Sequence, residues 1–227
     1  CTYPFKELSG CGIGFKLSQA FNQKQNKPIS KIKRFLDLVV ISIASDIVPI
    51  VGENRILAYF GLKLLNSKPR PGIEAILAFG GIRKVDHTAE SGDNHLYFNR
   101  EMTISDLVFL VGPRINAAGR IESGSNSVEL LLCTDIESAS EIGKYIDTNN
   151  TERRNLDVTT TQQALKMIET SPLHHNKKST VVFDRDWHKS VVGIVASRLT
   201  ESYYRPTIVL TESNGLITGS ARSVKDF

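Results

Sequence analysis

Residues 111–121, VGPRINAAGRI, concentrate side chains that can hold an anion. Arg114 and Arg120 carry planar guanidinium groups, each able to donate parallel hydrogen bonds to phosphate oxygens. Asn116 lies between them. The Gly-Pro pair at the start of the segment predicts a sharp turn, and the small residues after Asn116 allow close approach of the backbone. Alone, this composition is typical both of a phosphate-binding turn and of a helix cap with solvated arginines.

Asp46 is a candidate metal ligand or catalytic carboxylate. It follows the apolar, β-branched run Leu38–Ile43, which predicts a buried strand of a parallel sheet. Open α/β sheets bind their ligands at the carboxyl ends of such strands. The alternative is that Asp46 caps a following turn that Pro49 closes.

His188 precedes a predicted helix that begins near Ser190. The free N–H groups at a helix N-terminus attract anions, and His188 could add a further donor. Trp187 fits a packing residue better than a platform for a nucleic-acid base. The alternation of Asp184, Asp186 and His188 could form a set of metal ligands, or an ordinary acidic loop before the helix.

Ser220 and Arg222 lie two positions apart in the segment GSARS. In an extended segment they face the same side. A hydroxyl and a guanidinium beside a glycine suit a terminal phosphate. The alternative is a β-turn with a surface arginine.

The elements that must position these residues fall into two groups. After the predicted strand, residues 52–66 and 73–82 carry apolar residues at helical spacing, and residues 83–100 are polar and predict a loop. Residues 135–170 contain no proline and one glycine, which predicts a helix of roughly 45 Å. Alternating strands and helices then predict a small α/β unit, and hence two domains joined by a long helix.

Composition limits the class of protein. With 41% hydrophobic and 23% charged residues, the 227-residue chain is ordinary for a globular protein. A net charge of +4 is compatible with a polyanionic partner. Three cysteines without metal-binding spacing argue for a reducing compartment, and no apolar stretch is long enough to cross a membrane. We therefore expect a cytoplasmic protein with no membrane partner.

Five segments in this order resemble the RecJ family of single-strand-specific DNA exonucleases: YPFKELSGCGIGFKL, SIASDIVPIVGENR, GPRINAAGR, WHKSVVGIVASR and GSARS. The resemblance implies a DHH phosphoesterase fold. In that fold a parallel α/β catalytic domain is joined by a long helix to a smaller α/β DHH-associated domain. It further implies 5′-to-3′ hydrolysis of single-stranded DNA to mononucleotides, in repair and recombination, with two Mn²⁺ or Mg²⁺ ions. Protein partners are not indicated.

Carried over motif by motif, the resemblance assigns the catalytic residues. Asp46 corresponds to the last metal-ligating aspartate of the catalytic domain. Arg114 and Asn116, with Arg120 as a further contact, correspond to groups near the scissile phosphate. His188 is expected to face the same cleft as a catalytic and substrate-binding group.

The substrate-binding set is completed by Ser220 and Arg222, which correspond to the residues that hold the 5′ phosphate of the DNA. The implied domains are residues 1–134, the C-terminal part of an incomplete catalytic domain; 135–172, the connecting helix; and 173–227, the start of the DHH-associated domain.

The family's other metal motifs, including Asp-His-His, lie upstream of a YPFKELSG-like segment. We therefore expect this chain to be a central fragment that does not retain the two metals and does not cleave DNA alone. Two alternatives remain: a non-catalytic nucleic-acid-binding module, or another DHH phosphoesterase acting on small nucleotides.

Overall fold

The computed structural model describes residues 2–85, 97–121, 124–171 and 177–226, with only the backbone for residues 118–121. The chain divides into two compact units, Cys1–Thr148 and Asn149–Phe227. None of the described helices is long and apolar enough to cross a membrane.

Helices are the main regular elements among the described residues of the first unit. It contains α1 (Gly10–Lys24), α2 (Ser30–Lys33), α3 (Leu36–Ser45), α4 (Gly52–Ser67), α5 (Pro71–Phe79), α6 (Ile104–Asp106), a π-helical segment (Leu107–Val111), α7 (Gly112–Ile121), α8 (Ser125–Leu132) and the first part of α9 (Ile136–Thr170). The helices predicted in residues 52–66 and 73–82 are confirmed as α4 and α5.

The predicted strand Leu38–Ile43 is wrong, because these residues belong to α3. Val39, Val40 and Ile43 are fully buried, and α3 contacts α1, α4, α7 and the π-helical segment. An element that is buried over most of its surface shows little helical or strand periodicity, so its apolar run alone does not separate the two. Gly61 of α4 allows one of these contacts, since a Cβ there would lie 2.5 Å from the Leu36 carbonyl oxygen.

The parallel sheet predicted for the first unit has no counterpart among the residues described there. Strand pairing in that part is limited to an isolated antiparallel bridge between Lys84 and Phe98. This bridge lies within the predicted loop 83–100, of which residues 86–96 are outside the described part of the chain.

Ion pairs stabilise the helical unit, and those of Asp37 and Asp106 illustrate how. Nε of Arg70 donates to Oδ2 of Asp37 at 2.6 Å, and the Asp37 side chain is 3% exposed. At the start of α6, Asp106 accepts hydrogen bonds from the Thr103 N–H and from both terminal nitrogens of Arg100. The Arg100 guanidinium holds the pKa of the Asp106 carboxyl well below its ordinary value, and the Thr103 bonds act in the same direction.

The second unit is a small α/β structure, as predicted. It contains the remainder of α9, followed by β1 (Thr180–Phe183), α10 (Val192–Tyr203), β2 (Thr207–Ser213) and β3 (Leu216–Arg222). β1 pairs with β2 in parallel and β2 pairs with β3 antiparallel. Asn214 and Gly215 both have positive φ, which suits the tight hairpin between β2 and β3.

The long helix predicted over residues 135–170 is present as the 35-residue α9. Its C-terminal part packs on the sheet and α10 through Ala164 and Ile168. Trp187 belongs to the same core and is 4% exposed, and its indole N–H donates to Oε1 of Gln163 at 2.8 Å. The interpretation of Trp187 as a packing residue is confirmed.

Candidate active-site residues

In the first unit, the structure brings together two motifs that are far apart in sequence. Asp46 is the C-cap of α3, and Gly112 begins α7 beside the same end of α3. A Cβ at Gly112 would lie 3.1 Å from Oγ of Ser45 and 3.4 Å from its Cα. A side chain at position 112 would therefore crowd Ser45, the residue before Asp46, and glycine relieves this crowding.

Asp46 is exposed and can donate oxygen ligands to a cation. Its Oδ2 accepts a hydrogen bond from Oγ of Ser42 at 3.2 Å, and the rest of the carboxylate is open to solvent. The expectation that it follows a strand was wrong, since it ends a helix. The C-terminus of a helix is the negative end of its dipole, so a bound cation would be favoured there.

The described residues supply too few ligands for a complete metal centre. Within that part of the chain, no group of three or more His, Cys, Asp or Glu side chains could hold a metal ion. A two-metal site needs several oxygen or imidazole ligands. Asp46 therefore fits as one ligand, and the rest of such a centre does not come from these residues.

The predicted turn at residues 112–113 is also wrong, because the segment continues a helix. The Gly112 N–H donates to the Leu107 carbonyl in the wide π-helical pattern, and α7 follows directly. Pro113 has no N–H and cannot donate to the preceding turn. Nη1 of Arg114 donates to the Leu110 carbonyl at 2.8 Å, which adds a donor at this irregular point.

The Arg114 side chain is held by groups of the first unit. Its Nε donates to Oδ1 of Asp147 in α9 at 2.8 Å, and Nη2 lies 3.5 Å from the Phe79 carbonyl oxygen. The Arg114 side chain is only 12% exposed. All three guanidinium nitrogens thus contact protein, which leaves two of its five N–H donors for a ligand.

The remaining residues of this motif are placed differently. Asn116 is exposed on α7. Two positions along an α-helix correspond to a rotation of about 200°, so Asn116 and Arg114 lie on opposite sides of α7. The backbone of Arg120 is part of α7, whereas its side chain lies outside the described part of the chain.

In the second unit, His188 and Ser190 form a tight pair before α10. Nδ1 of His188 lies 2.6 Å from Oγ of Ser190 and accepts the Ser190 backbone N–H at 3.3 Å. These bonds favour the tautomer with the proton on Nε2. The ring is exposed, so this proton is available to an anion.

The metal set considered at Asp184, Asp186 and His188 is not formed. The Asp186 N–H donates to Oδ1 of Asp184 at 2.9 Å, so the two acidic residues close a local turn. These three residues are part of the described chain, in which no metal-binding group is found.

Ser220 and Arg222 do lie on one face of β3, and α10 packs against that face. A Cβ built on Gly193 in the first turn of α10 would lie 3.4 Å from Oγ of Ser220 and 3.7 Å from Nη2 of Arg222. We call the space bounded by Gly193, Ser220 and Arg222 the α10–β3 pocket.

The sequence reasoning missed two members of this arrangement, Gly193 and Ser197. Nε of Arg222 donates to Oγ of Ser197 at 3.1 Å. The two missed residues are four apart, and helical residues at this spacing share a face. That spacing within VVGIVASR was the available signal.

Comparison with known proteins places the chain beside one group of nucleases. No protein-family model matches it. It is 37% identical over 229 residues to the single-stranded-DNA-specific exonuclease RecJ of Bacillus subtilis, covering 100% of this chain and 26% of the relative. It is 33% identical to RecJ of Haemophilus influenzae over 99% of this chain and 38% of that protein. The chain thus spans between a quarter and two-fifths of the length of these relatives.

Two solved structures superimpose on this chain over nearly its whole length. RecJ from Thermus thermophilus in complex with Mg²⁺ superimposes with a TM-score of 0.79 at 25% identity, over 99% of this chain and 32% of that one. An exonuclease RecJ bound to manganese gives the same TM-score and identity, over 99% of this chain and 51% of the other.

Proposed function

We propose that this chain, a homologue of the RecJ family of single-strand-specific exonucleases over its whole length, supplies the 5′-end recognition of such an enzyme. The protein of which it forms the corresponding part would hydrolyse single-stranded DNA from the 5′ end to mononucleotides, in repair and recombination. The observation that carries the proposal is the α10–β3 pocket, where Ser220 and Arg222 face the first turn of α10.

The chemistry of this pocket suits a terminal phosphate. A phosphate monoester carries close to two negative charges and three terminal oxygens. Arg222 supplies a guanidinium, Ser220 a hydroxyl, and the start of α10 supplies the Val192 and Gly193 N–H groups, whereas the Ile194 N–H already donates to the Val191 carbonyl. An internal phosphodiester carries a single charge and two free oxygens, so the same donors would hold it less strongly.

Divalent metal ions belong to the proposed reaction. RecJ structures in complex with Mg²⁺ and with Mn²⁺ support their use. Two such ions would activate water and stabilise charge on the phosphate being cleaved. Asp46 would be one ligand, whereas the described residues do not provide the others. We therefore propose that this chain binds single-stranded DNA but does not hydrolyse it without further ligands.

Within the same proposal, Arg114 acts near the scissile phosphate and His188 donates a hydrogen bond to the DNA backbone, whereas Asn116, on the opposite side of α7, is not assigned to the same phosphate. The exposed ring of His188 and the two uncommitted N–H donors of Arg114 are compatible with these roles. Because the Nε–H of Arg114 donates to Asp147, a contact with DNA would use the remaining N–H groups of Nη1 and Nη2.

The test is an incubation of the chain with 5′-phosphorylated and 5′-hydroxyl single strands of one sequence, with and without Mn²⁺. We expect salt-dependent binding that is tighter for the phosphorylated strand, and no release of mononucleotides. Equal binding of both strands would contradict 5′-end recognition. Release of mononucleotides by the purified chain would contradict the incomplete metal site.

A non-catalytic nucleic-acid-binding module is the second candidate function. It is favoured by one observation, that Gly193, Ser197, Ser220 and Arg222, which form the α10–β3 pocket, all belong to the second unit. The two functions differ in one result. Supplying the upstream metal motifs that the family resemblance implies would create metal-dependent cleavage in the first case and leave only binding in the second.

A further inference from the structure

Arg222 is exposed, so its guanidinium can bind a ligand in the proposed pocket only when the side chain points toward that pocket. Arginine side chains carry about 2 kcal/mol of rotamer entropy, so an unrestrained guanidinium spends little time in one position. Two hydrogen bonds restrain this one. Nε donates to Oγ of Ser197 at 3.1 Å and Nη1 donates to the Ala221 carbonyl at 3.3 Å.

Ser197 is itself fixed by the helix that carries it. Its hydroxyl donates to the Gly193 carbonyl, one turn earlier in α10, at 3.1 Å. A hydroxyl has one proton, so with that proton directed at Gly193 its lone pairs face the Arg222 Nε–H. The hydroxyl thus links the first turn of α10 to the arginine on β3.

The result of this link is that the remaining edge of the guanidinium faces the pocket. Nη2 of Arg222 lies 3.7 Å from the Cβ position of Gly193, beside Ser220. Among the described residues, no hydrogen bond uses this nitrogen. Its two N–H groups are therefore free for a ligand in the pocket.

We infer that Ser197 is a positioning residue, which aims Arg222 at a phosphate monoester bound in the α10–β3 pocket. The inference rests on the proposed 5′-end recognition and adds a residue that does not itself touch the phosphate. Ser197 raises affinity by fixing Arg222 before the ligand binds, so it acts on the phosphorylated end and leaves internal contacts unchanged.

The experiment measures affinity for two fluorescent single strands of one sequence, one with a 5′ phosphate and one with a 5′ hydroxyl, in a chelating buffer that prevents cleavage. The full chain is compared with Ser197→Ala, with Ser197→Thr and with Thr200→Val. The hydroxyl of Thr200 donates to the Ala196 carbonyl at 2.8 Å, in the same backward pattern on the same helix. Among the described residues it contacts no arginine, which makes it the matched control.

We expect Ser197→Ala to lower the ratio of the two affinities about fivefold, with little change for the 5′-hydroxyl strand. Ser197→Thr keeps a hydroxyl and should keep the ratio, as should Thr200→Val. In an Arg222→Ala background, Ser197→Ala should have no further effect on the ratio, because the group it positions is gone.

The contradicting outcomes are separable. A wild-type chain that binds both strands equally would overturn the phosphate pocket and this inference with it. A wild-type preference that Ser197→Ala leaves unchanged would overturn the role of Ser197 alone. An equal fall in Thr200→Val would assign the effect to loss of a helix hydrogen bond and overturn the positioning role.

Discussion

Replacing Gly193 by alanine separates stability from binding in the α10–β3 pocket. The added methyl group would meet Oγ of Ser220 at 3.4 Å and Nη2 of Arg222 at 3.7 Å, which are ordinary van der Waals distances. Gly193 lies in α10 and does not have a positive φ, so alanine fits its backbone without strain. Alanine stabilises a helix relative to glycine by roughly 0.5–1 kcal/mol, and we expect a gain at the lower end of this range in the first turn.

The same methyl group would fill the space that a phosphate oxygen needs. An oxygen hydrogen-bonded to both Ser220 and Arg222 lies about 2.8–3.0 Å from each, and on the side that faces Gly193 such an oxygen would clash with the new Cβ. Hydrogen bonds to charged groups contribute about 1.5–3 kcal/mol each. Losing one of them weakens binding of the 5′-phosphorylated strand at least about tenfold. Binding of the 5′-hydroxyl strand should be unchanged.

The assay combines thermal unfolding with fluorescence anisotropy on both strands. Gly14→Ala is the matched control, since Gly14 lies within α1 and nothing is within 4 Å of its Cβ position. It should gain stability without changing the affinity for either strand. If Gly193→Ala bound the phosphorylated strand as tightly as wild type, the pocket would not be where the phosphate binds. A marked loss of stability would refute the packing argument.

Three further substitutions test the helical unit. Arg70→Met leaves the buried Asp37 carboxylate without its ion pair, and we expect a loss of about 3–5 kcal/mol in the free energy of unfolding by urea titration. Asp106→Asn should cost about 0.5–1 kcal/mol near neutral pH. Because Arg100 lowers the pKa of Asp106 in the folded state, this contribution is present above about pH 4 and is lost as the pH falls through the folded value. The difference between wild type and Asp106→Asn should therefore shrink in unfolding measured at pH 3, and a constant difference would contradict the pairing. Gly72→Ala places a Cβ inside contact distance of a backbone carbonyl in α8, so we expect a loss of about 3 kcal/mol in thermal unfolding, whereas an unchanged melting temperature would refute that close approach.

The sequence alone predicted most of the helices and strands of the second unit. Residues 180–222 alternate short β-branched runs with one amphipathic helix, and Asn214-Gly215 marks the hairpin, so each element follows from local spacing. The first unit was harder for a physical reason. α3 is buried over most of its surface, and only Ser42 and Ser45 mark its half-exposed side, so the apolar run Leu38–Ile43 carries no periodicity that separates helix from strand. Residues 112–121 form a helix, but their first two residues, a glycine and a proline, usually mark a turn, so the sequence did not predict this helix.

For the candidate site, too, the sequence predicted one part of the arrangement and not the other. Ser220 and Arg222 share a face because they are two apart in an extended segment, and this is a property of the local chain. That Arg114 pairs with Asp147 could not be foreseen, since the two residues lie on different helices. Nor could the sequence show that Gly193 and Ser197 oppose β3, because nothing along the chain links the spacing of a helix to that of a strand. Local spacing determines which side chains share a face, whereas the packing of α10 on β3 determines what that face meets.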